Sequence, residues 1–432
     1  MKMLTALERT SALILLALVG FFVYQGIWTS ETGTFSDFGD HRANSVVAER
    51  ALRDGVYPGQ IYYPPPNLVL RGLLARLGEP AAGLLWMAGM VLSLACSIYT
   101  LLRLTGLDRS GRRITLSLFS VLAILWYLQW DFRTMNSNTV FLALVLAAVH
   151  DFERGRETRA GLWLATSIVF KIYSAALIPY WLWRRDYRSV FACLAALLAY
   201  FVLLPAWQLG PGGAFELTRS WLEAVSNTGR PDFVVDFVAY KVSLRWLLAN
   251  LFGAVDPAQG AVLADWPLHW TNRLARIVEL GWLVVVVAWI ARRRPRGPAS
   301  LPASRGLLEA GVILMAALFA SPLLQPHHGV VLLIPAFLLV SAAADRETPA
   351  PHRIAFTGAL VVCGLGPLLA PSGLGRAAVM LATLVAFSLA LLPARENARA
   401  RHPEPPAPQS LRSQLMVGIL RPIRSMKPAR KP

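Results

Sequence analysis

The chain carries little charge for its size. Asp, Glu, Lys and Arg make up 16 % of its 432 residues, against 55 % hydrophobic. A water-soluble protein cannot cover that much apolar surface, so the bilayer has to serve as its solvent. Cysteine is scarce as well. Cys96, Cys193 and Cys363 all lie inside apolar runs, so neither a disulfide framework nor a Cys-based metal spacing is present. Acidic residues number 25 against 42 basic ones. No acidic cluster demands a divalent metal, and no glycine-rich loop of the phosphate-cradling kind is found. In a soluble chain the net charge of +17 would suggest nucleic acid. Here no basic face with interleaved aromatics lies outside the apolar runs, and the basic residues read instead as markers of the cytoplasmic side of a membrane.

What is abundant is apolar sequence. Windows near the ~20 residues that cross a bilayer fall at about 11–29, 81–103, 113–130, 137–151, 187–206, 274–291, 306–321, 329–344, 354–370 and 377–393. Shorter pieces lie at 160–170, 172–183 and 241–252. These predict an all-α polytopic membrane protein with about 10–13 transmembrane or half-membrane helices. The first run follows Lys2 and Arg9 and has no small-residue cleavage site after it, so it is read as a retained span. Residues 1–394 form the membrane domain, with outer loops at 30–80 and 207–273. The Pro-rich, basic stretch 395–432 is expected to be a disordered cytoplasmic tail that rests on anionic lipid.

The basic residues also set a direction. With the N-terminus cytoplasmic, the groups Arg109/Arg112/Arg113, Arg154/Arg156/Arg159, Arg184/Arg185/Arg188, Arg292–Arg294/Arg296 and Arg346/Arg353 all fall inside only if 160–183 enters the membrane and returns to the same side. Lys171 sits at the middle of that stretch, where a charge is costly unless it lines a cavity. A broken hairpin with Lys171 at its apex meets both demands. The expected placement is a plasma (inner) membrane, with both termini cytoplasmic and the loops 30–80, 207–273 and 322–328 on the outer face.

Four groups of residues carry candidate chemistry. Ser36-Asp37-Phe38-Gly39-Asp40-His41 offers carboxylates suited to general-base work, although isolated aspartates such as Asp37 and Asp40 more often are solvated loop residues or caps, here of an amphipathic helix at Ala43–Arg53. Tyr57 and the run Tyr62-Tyr63-Pro64-Pro65-Pro66 follow. Ser321-Pro322 with His327-His328 could bind phosphate or orient a base, but adjacent histidines make a poor metal pair. Lys171 needs an anionic partner, a carboxylate or a ligand phosphate. Asn227, Arg230 and Lys241 supply donors for sugar hydroxyls or phosphate.

The order of these pieces resembles the polyprenol-phosphate-mannose-dependent mannosyltransferases of glycosyltransferase family 87, in the GT-C superfamily. The pieces are one span, an outer Asp-Phe loop, Tyr-x-Pro-Pro, an Asn-x-Asn at a helix start, an Ala-Gly-Leu…Lys segment and a Ser-Pro…His-His element. The resemblance covers roughly residues 10–395. It implies a GT-C-like bundle that moves a sugar, mannose in that family, from a polyprenyl-phosphate donor to a lipid or glycan hydroxyl, with inversion, on the extracytoplasmic side. The catalytic Asp maps to Asp37, with Asp40 second. Lys171, Arg230, His327 and His328 would hold the donor phosphate, and Tyr57, Tyr63, Asn136, Asn138 and Asn227 would meet substrate. No metal and no cofactor beyond the lipid-phosphate sugar is implied; the other partners are membrane lipids, and nucleic acid is not among them. Two departures stand out: Met135-Asn136-Ser137-Asn138 replaces the family's Gly-Gln-x-Asn, and His41 replaces an aromatic. The competing readings are a transporter or flippase, for which no internal repeat is visible, and a polymerase or ligase for lipid-linked glycans.

Overall fold

The computed structural model describes residues 5–31, 39–57, 63–228, 242–252, 266–292, 303–344, 350–369 and 373–391, all within one compact unit. Sixteen α-helices and no strand occupy the described residues. They begin with α1 (Ala6–Glu31), α2 (Gly39–Asp54), α3 (Pro65–Ala75) and α4 (Glu79–Leu104). Next come α5 (Arg113–Ala123), α6 (Leu125–Arg133), α7 (Asn138–Glu153), α8 (Glu157–Phe170), α9 (Leu177–Trp183) and α10 (Tyr187–Asn227). The last are α11 (Leu244–Phe252), α12 (Leu268–Ala291), α13 (Ala303–Phe319), α14 (Leu333–Ala344), α15 (Ala350–Leu369) and α16 (Gly373–Leu391). Among the described residues, α1, α4, α10, α12 and the segment Pro326–Ala344 are long and apolar enough to cross a bilayer, and α5 with α6, bent by 71°, makes a sixth. The chain is an all-α polytopic membrane protein, as its composition demands.

The packing is that of a bundle in lipid. Leu13, Phe191, Ile277 and Ile354 point outward, Phe191 at 76 % exposure. Phe141, Leu146, Leu314 and Phe337 are fully buried, which puts α7, α13 and α14 at the centre. Lipid tails are as apolar as leucine, so burial alone does not drive these helices together; close backbone approach and polar contacts do. Gly161 is one such contact. A Cβ there would run into the Ser189 carbonyl oxygen and Ala192, so the absent side chain lets α8 lie directly on α10.

The hairpin is built by length and by an unfavourable place for helix. The 14 residues of α8 rise about 21 Å, short of the ~30 Å hydrocarbon core. Lys171 then turns extended (φ −150°, ψ 116°), a 3-10 turn runs over Ile172–Ala176, and α9 leads back. Ser189 Oγ donates to the Glu157 carbonyl oxygen at 3.0 Å, so the chain leaves and rejoins the bundle at the same end, with Lys171 at the apex.

Three connections end in the same way. After α6, the Asn136 amide donates to the Asp131 carbonyl (3.0 Å) and the Met135 amide to Phe132 (3.2 Å). The same pair of bonds recurs at Gly155/Arg156 after α7 and at Arg185/Asp186 after α9. This is the Schellman ending, whose penultimate residue takes a left-handed conformation. Gly155 does so at no cost, whereas Met135 (φ 47°) and Arg185 (φ 61°) do so against the preference of about 1–2 kcal/mol that disfavours it for L-residues.

Residues 207–227, read from sequence as part of an outer loop, are helical. Gly210 (φ 71°, ψ 170°) breaks α10 and Pro211 restarts it. The second segment brings Leu217, Trp221 and Ala224 against Ala48 and Ala51 of α2, Tyr57, and Leu68 of α3. This small cluster fixes the chain on either side of Tyr63. On the other flank, Arg245 of α11 grips Glu279 of α12 through two bonds of 3.0 and 2.9 Å, and the Val242 amide donates to the Leu324 carbonyl at 3.1 Å.

The close approach at Gly161 is checked by Gly161→Val. Overpacking of this kind costs about 1–3 kcal/mol, so the purified variant should melt at a lower temperature than the parent. An unchanged melting temperature would contradict the packing described.

Candidate functional site

The α6–α7 turn is folded by one carboxylate. Asp131 is fully buried. Its Oδ2 accepts from the Thr139 amide (3.0 Å), and its Oδ1 accepts from Asn138 Nδ2 (2.7 Å) and the Asn138 amide (3.4 Å). Negative charge at a helix N-terminus is favourable, and here the cap is delivered from the preceding helix. The Schellman turn then presents Asn136, while Trp86 Nε1 on α4 donates to the Met135 carbonyl at 2.9 Å. Asn136 Oδ1 accepts from the Ser137 amide (2.7 Å), Asn138 Nδ2 (3.1 Å) and the Tyr63 hydroxyl (3.0 Å).

Tyr63 arrives just ahead of α3, which starts with proline, the residue type pre-set for a first helical turn. The Tyr57 hydroxyl donates to the Tyr63 carbonyl at 3.3 Å. The Tyr63 ring takes the Arg71 guanidinium at 5.0 Å and the Lys171 ammonium at 4.7 Å. Arg71 also lies 4.5 Å from the Trp86 ring and donates to Asn67 Oδ1 at 2.9 Å. Cation–π contacts of this kind contribute about 0.5–2 kcal/mol each.

The histidine turn closes the site. Gln325 caps the 3-10 segment Pro326–Leu332, and its amide donates to His328 Nδ1 at 3.0 Å. Gly329 presses against the Tyr127 ring, where a Cβ would collide, and this seats the turn on α6. His327 Nε2 lies 3.2 Å from Asn136 Nδ2, and His328 Nε2 lies 3.3 Å from Lys171 Nζ. Lys171 Nζ also donates to the Tyr63 hydroxyl oxygen at 3.2 Å. The Tyr173 hydroxyl donates to Asn138 Oδ1 at 3.2 Å, and its ring meets His328 edge-on. Arg71, Lys171 and Asp131 thus set two cations against one carboxylate, an excess of positive charge that suits an anionic ligand. Among the described residues no three His, Cys, Asp or Glu side chains are grouped to hold a metal ion.

Six sequence-predicted residues therefore meet in one network: Tyr63, Asn136, Asn138, Lys171, His327 and His328. Tyr57 adjoins it through Tyr63. Asn227 is exposed at the end of α10 and does not join it. Asp40 lies in the first turn of α2, with its side chain outside the described residues, and Asp37 and Arg230 lie outside them altogether. Sequence reading gave no role to Asp131, Arg71, Trp86 or Tyr173. Asp131 left a signal: an acid between Trp130 and Phe132 at the edge of an apolar window is costly in a membrane without partners. Arg71 left a fainter one, its i,i+4 spacing from Asn67.

A family model for Glycosyltransferase family 87 matches residues 62–322, more than half of the chain. No curated protein and no solved structure matches. The matched stretch takes in Tyr63, Arg71, Asp131, Asn136, Asn138 and Lys171. Asp37 and Asp40 precede it, and His327 and His328 follow it.

Loss of the Asp131 carboxylate would strip the α7 cap and the Asn138 anchor together. Asp131→Ala should destabilise the protein by about 2–3 kcal/mol, read as a lower unfolding midpoint in detergent. Parental stability would contradict the capping role.

Proposed function

The chain belongs to glycosyltransferase family 87, and from that premise we propose that this membrane glycosyltransferase moves a hexose from a polyprenyl-phosphate donor to a hydroxyl of a lipid or glycan acceptor. Mannose is the sugar that the resemblance points to. The arginine distribution supports an extracytoplasmic site in a plasma membrane with both termini cytoplasmic.

One observation carries the reading. Lys171, alone in an apolar hairpin, is brought to 3.2 Å from the Tyr63 hydroxyl and 3.3 Å from His328 Nε2. A cation so placed stabilises charge that develops on a departing phosphate. In the proposed reaction an acceptor oxygen attacks the anomeric carbon of the donor. The bond from that carbon to the phosphate oxygen breaks, and the lipid phosphate leaves with the electron pair. The hydroxyl proton passes to a carboxylate base, Asp37 in the first instance and Asp40 in the second. A single displacement inverts the centre, so a β-linked donor gives an α-linked product. Lys171 and His328 are assigned to the phosphate, with Arg230 as a further cation. Tyr63, Asn136 and Asn138 shape the surrounding wall.

The test is transfer by purified protein in vesicles offered a panel of radiolabelled polyprenyl-phosphate sugars and a membrane extract as the acceptor source. Label should move from the mannose-bearing donor. Movement only from a nucleotide sugar would overturn the donor assignment. Asp37→Asn should lower the rate at least about 100-fold in a folded protein, and a full rate would move the base to Asp40. Lys171→Ala should weaken donor binding about 10–100-fold, the worth of one or two charge-assisted hydrogen bonds. Unchanged donor affinity would remove Lys171 from the phosphate site.

A further inference from the structure

We infer that the adjacent His327 and His328 are held in opposite tautomers, and that Asn136, locked by Asp131 through Asn138, is the positioning residue that sets the first. The consequence for sugar transfer rests on the function proposed above, while the tautomers themselves rest on geometry alone.

An uncharged imidazole has one N–H and one lone pair, so the partner at each nitrogen decides which is which. His328 is the simpler case. Its Nδ1 lies 3.0 Å from the Gln325 amide nitrogen, and a backbone N–H can only donate. The lone pair is therefore on Nδ1 and the proton on Nε2. An imidazolium has no lone pair and is excluded by the same bond. His328 Nε2–H consequently faces Lys171 Nζ at 3.3 Å, and the two donors can share an oxyanion as acceptor.

His327 is fixed by a longer chain. Its Nε2 lies 3.2 Å from the Asn136 amide nitrogen, and the orientation of that amide follows from its other end. Asn136 Oδ1 lies 2.7 Å from the Ser137 backbone N–H, again a donor only. Asn138 Nδ2 adds a second donor at 3.1 Å. The Asn138 amide is oriented in turn by the Asp131 carboxylate at 2.7 Å, which accepts only. Asn136 Nδ2 therefore donates to His327 Nε2, and the His327 proton is on Nδ1.

Both imidazole lone pairs are thus occupied, one by Asn136 and one by Gln325. Neither ring can take a proton from an acceptor hydroxyl without first breaking a buried hydrogen bond. In the proposed reaction His328 acts as a donor beside Lys171, and the base is a carboxylate.

Selective ¹⁵N-histidine labelling of the full chain in nanodiscs reads this directly. His327→Gln and His328→Gln assign the two signals among the seven histidines. The expected spectrum has His327 protonated at Nδ1 and His328 at Nε2. Asn136→Asp replaces the donor by an acceptor, so the His327 proton should move to Nε2 while His328 keeps its own. Matching tautomers in the parent protein would overturn the inference, as would an unaltered His327 in Asn136→Asp. If that variant does not fold, the parent spectrum alone decides. No sugar is needed, so opposite tautomers in a protein that transfers nothing would sink the proposed function and leave this inference standing.

Discussion

An ammonium at the apex of an apolar hairpin has to be met there, and much of the site follows from how Lys171 is met. An unpaired charge in that setting costs several kcal/mol. The protein sets a tyrosine ring and hydroxyl against it on one side, and on the other His328 Nε2 stands 3.3 Å away as a second donor for a shared anion. Each partner comes from a different part of the chain, so the charge ties together the approach to α3, the hairpin apex and the turn after α13. All three depart from regular α-helix at the contact. Irregular backbone in a membrane protein is tolerated where it is enclosed by protein, and His327 and His328 are buried here.

The supports are as specific as the contacts. Asp131 spends its carboxylate on the α7 N-terminus and on Asn138, which leaves Asn136 to link Tyr63 with His327. Met135 bears a left-handed backbone angle so that the turn can place Asn136 there. Backbone strain of about 1–3 kcal/mol is kept where surrounding structure enforces it, commonly at functional sites. Arg71 stacks on Tyr63 and Trp86 and holds the tyrosine from behind. The result is a set of side chains each held by several contacts, the condition under which fixed dipoles act on developing charge without reorganising.

Much of the architecture could be read from the sequence for physical reasons. Apolar pieces at 160–170 and 172–183 are too short to cross a bilayer, and a lysine between them points to an apex rather than a span. The Asn-x-Asn spacing placed two amides at the start of α7, where they are found. Two features were hidden. The helix beyond Gly210 was lost because Pro205, Gly210, Pro211, Gly212 and Gly213 read as loop, whereas a glycine that breaks and a proline that restarts are also how one helix follows another. Asp131 was passed over because its partners lie seven and eight residues ahead, across a turn whose left-handed residue is methionine rather than glycine. The carboxylates assigned to base catalysis, Asp37 and Asp40, rest on the sequence reading: the first lies outside the described residues and so does the side chain of the second.

The proposed reaction requires the hairpin apex to hold a phosphate. It is tested most directly by a cryo-electron-microscopy map of the protein bound to a polyprenyl phosphate. The phosphate oxygens are expected within hydrogen-bond distance of both Lys171 Nζ and His328 Nε2, beside the Tyr63 hydroxyl. A phosphate bound elsewhere, with Lys171 still closed on Tyr63 and His328, would contradict it.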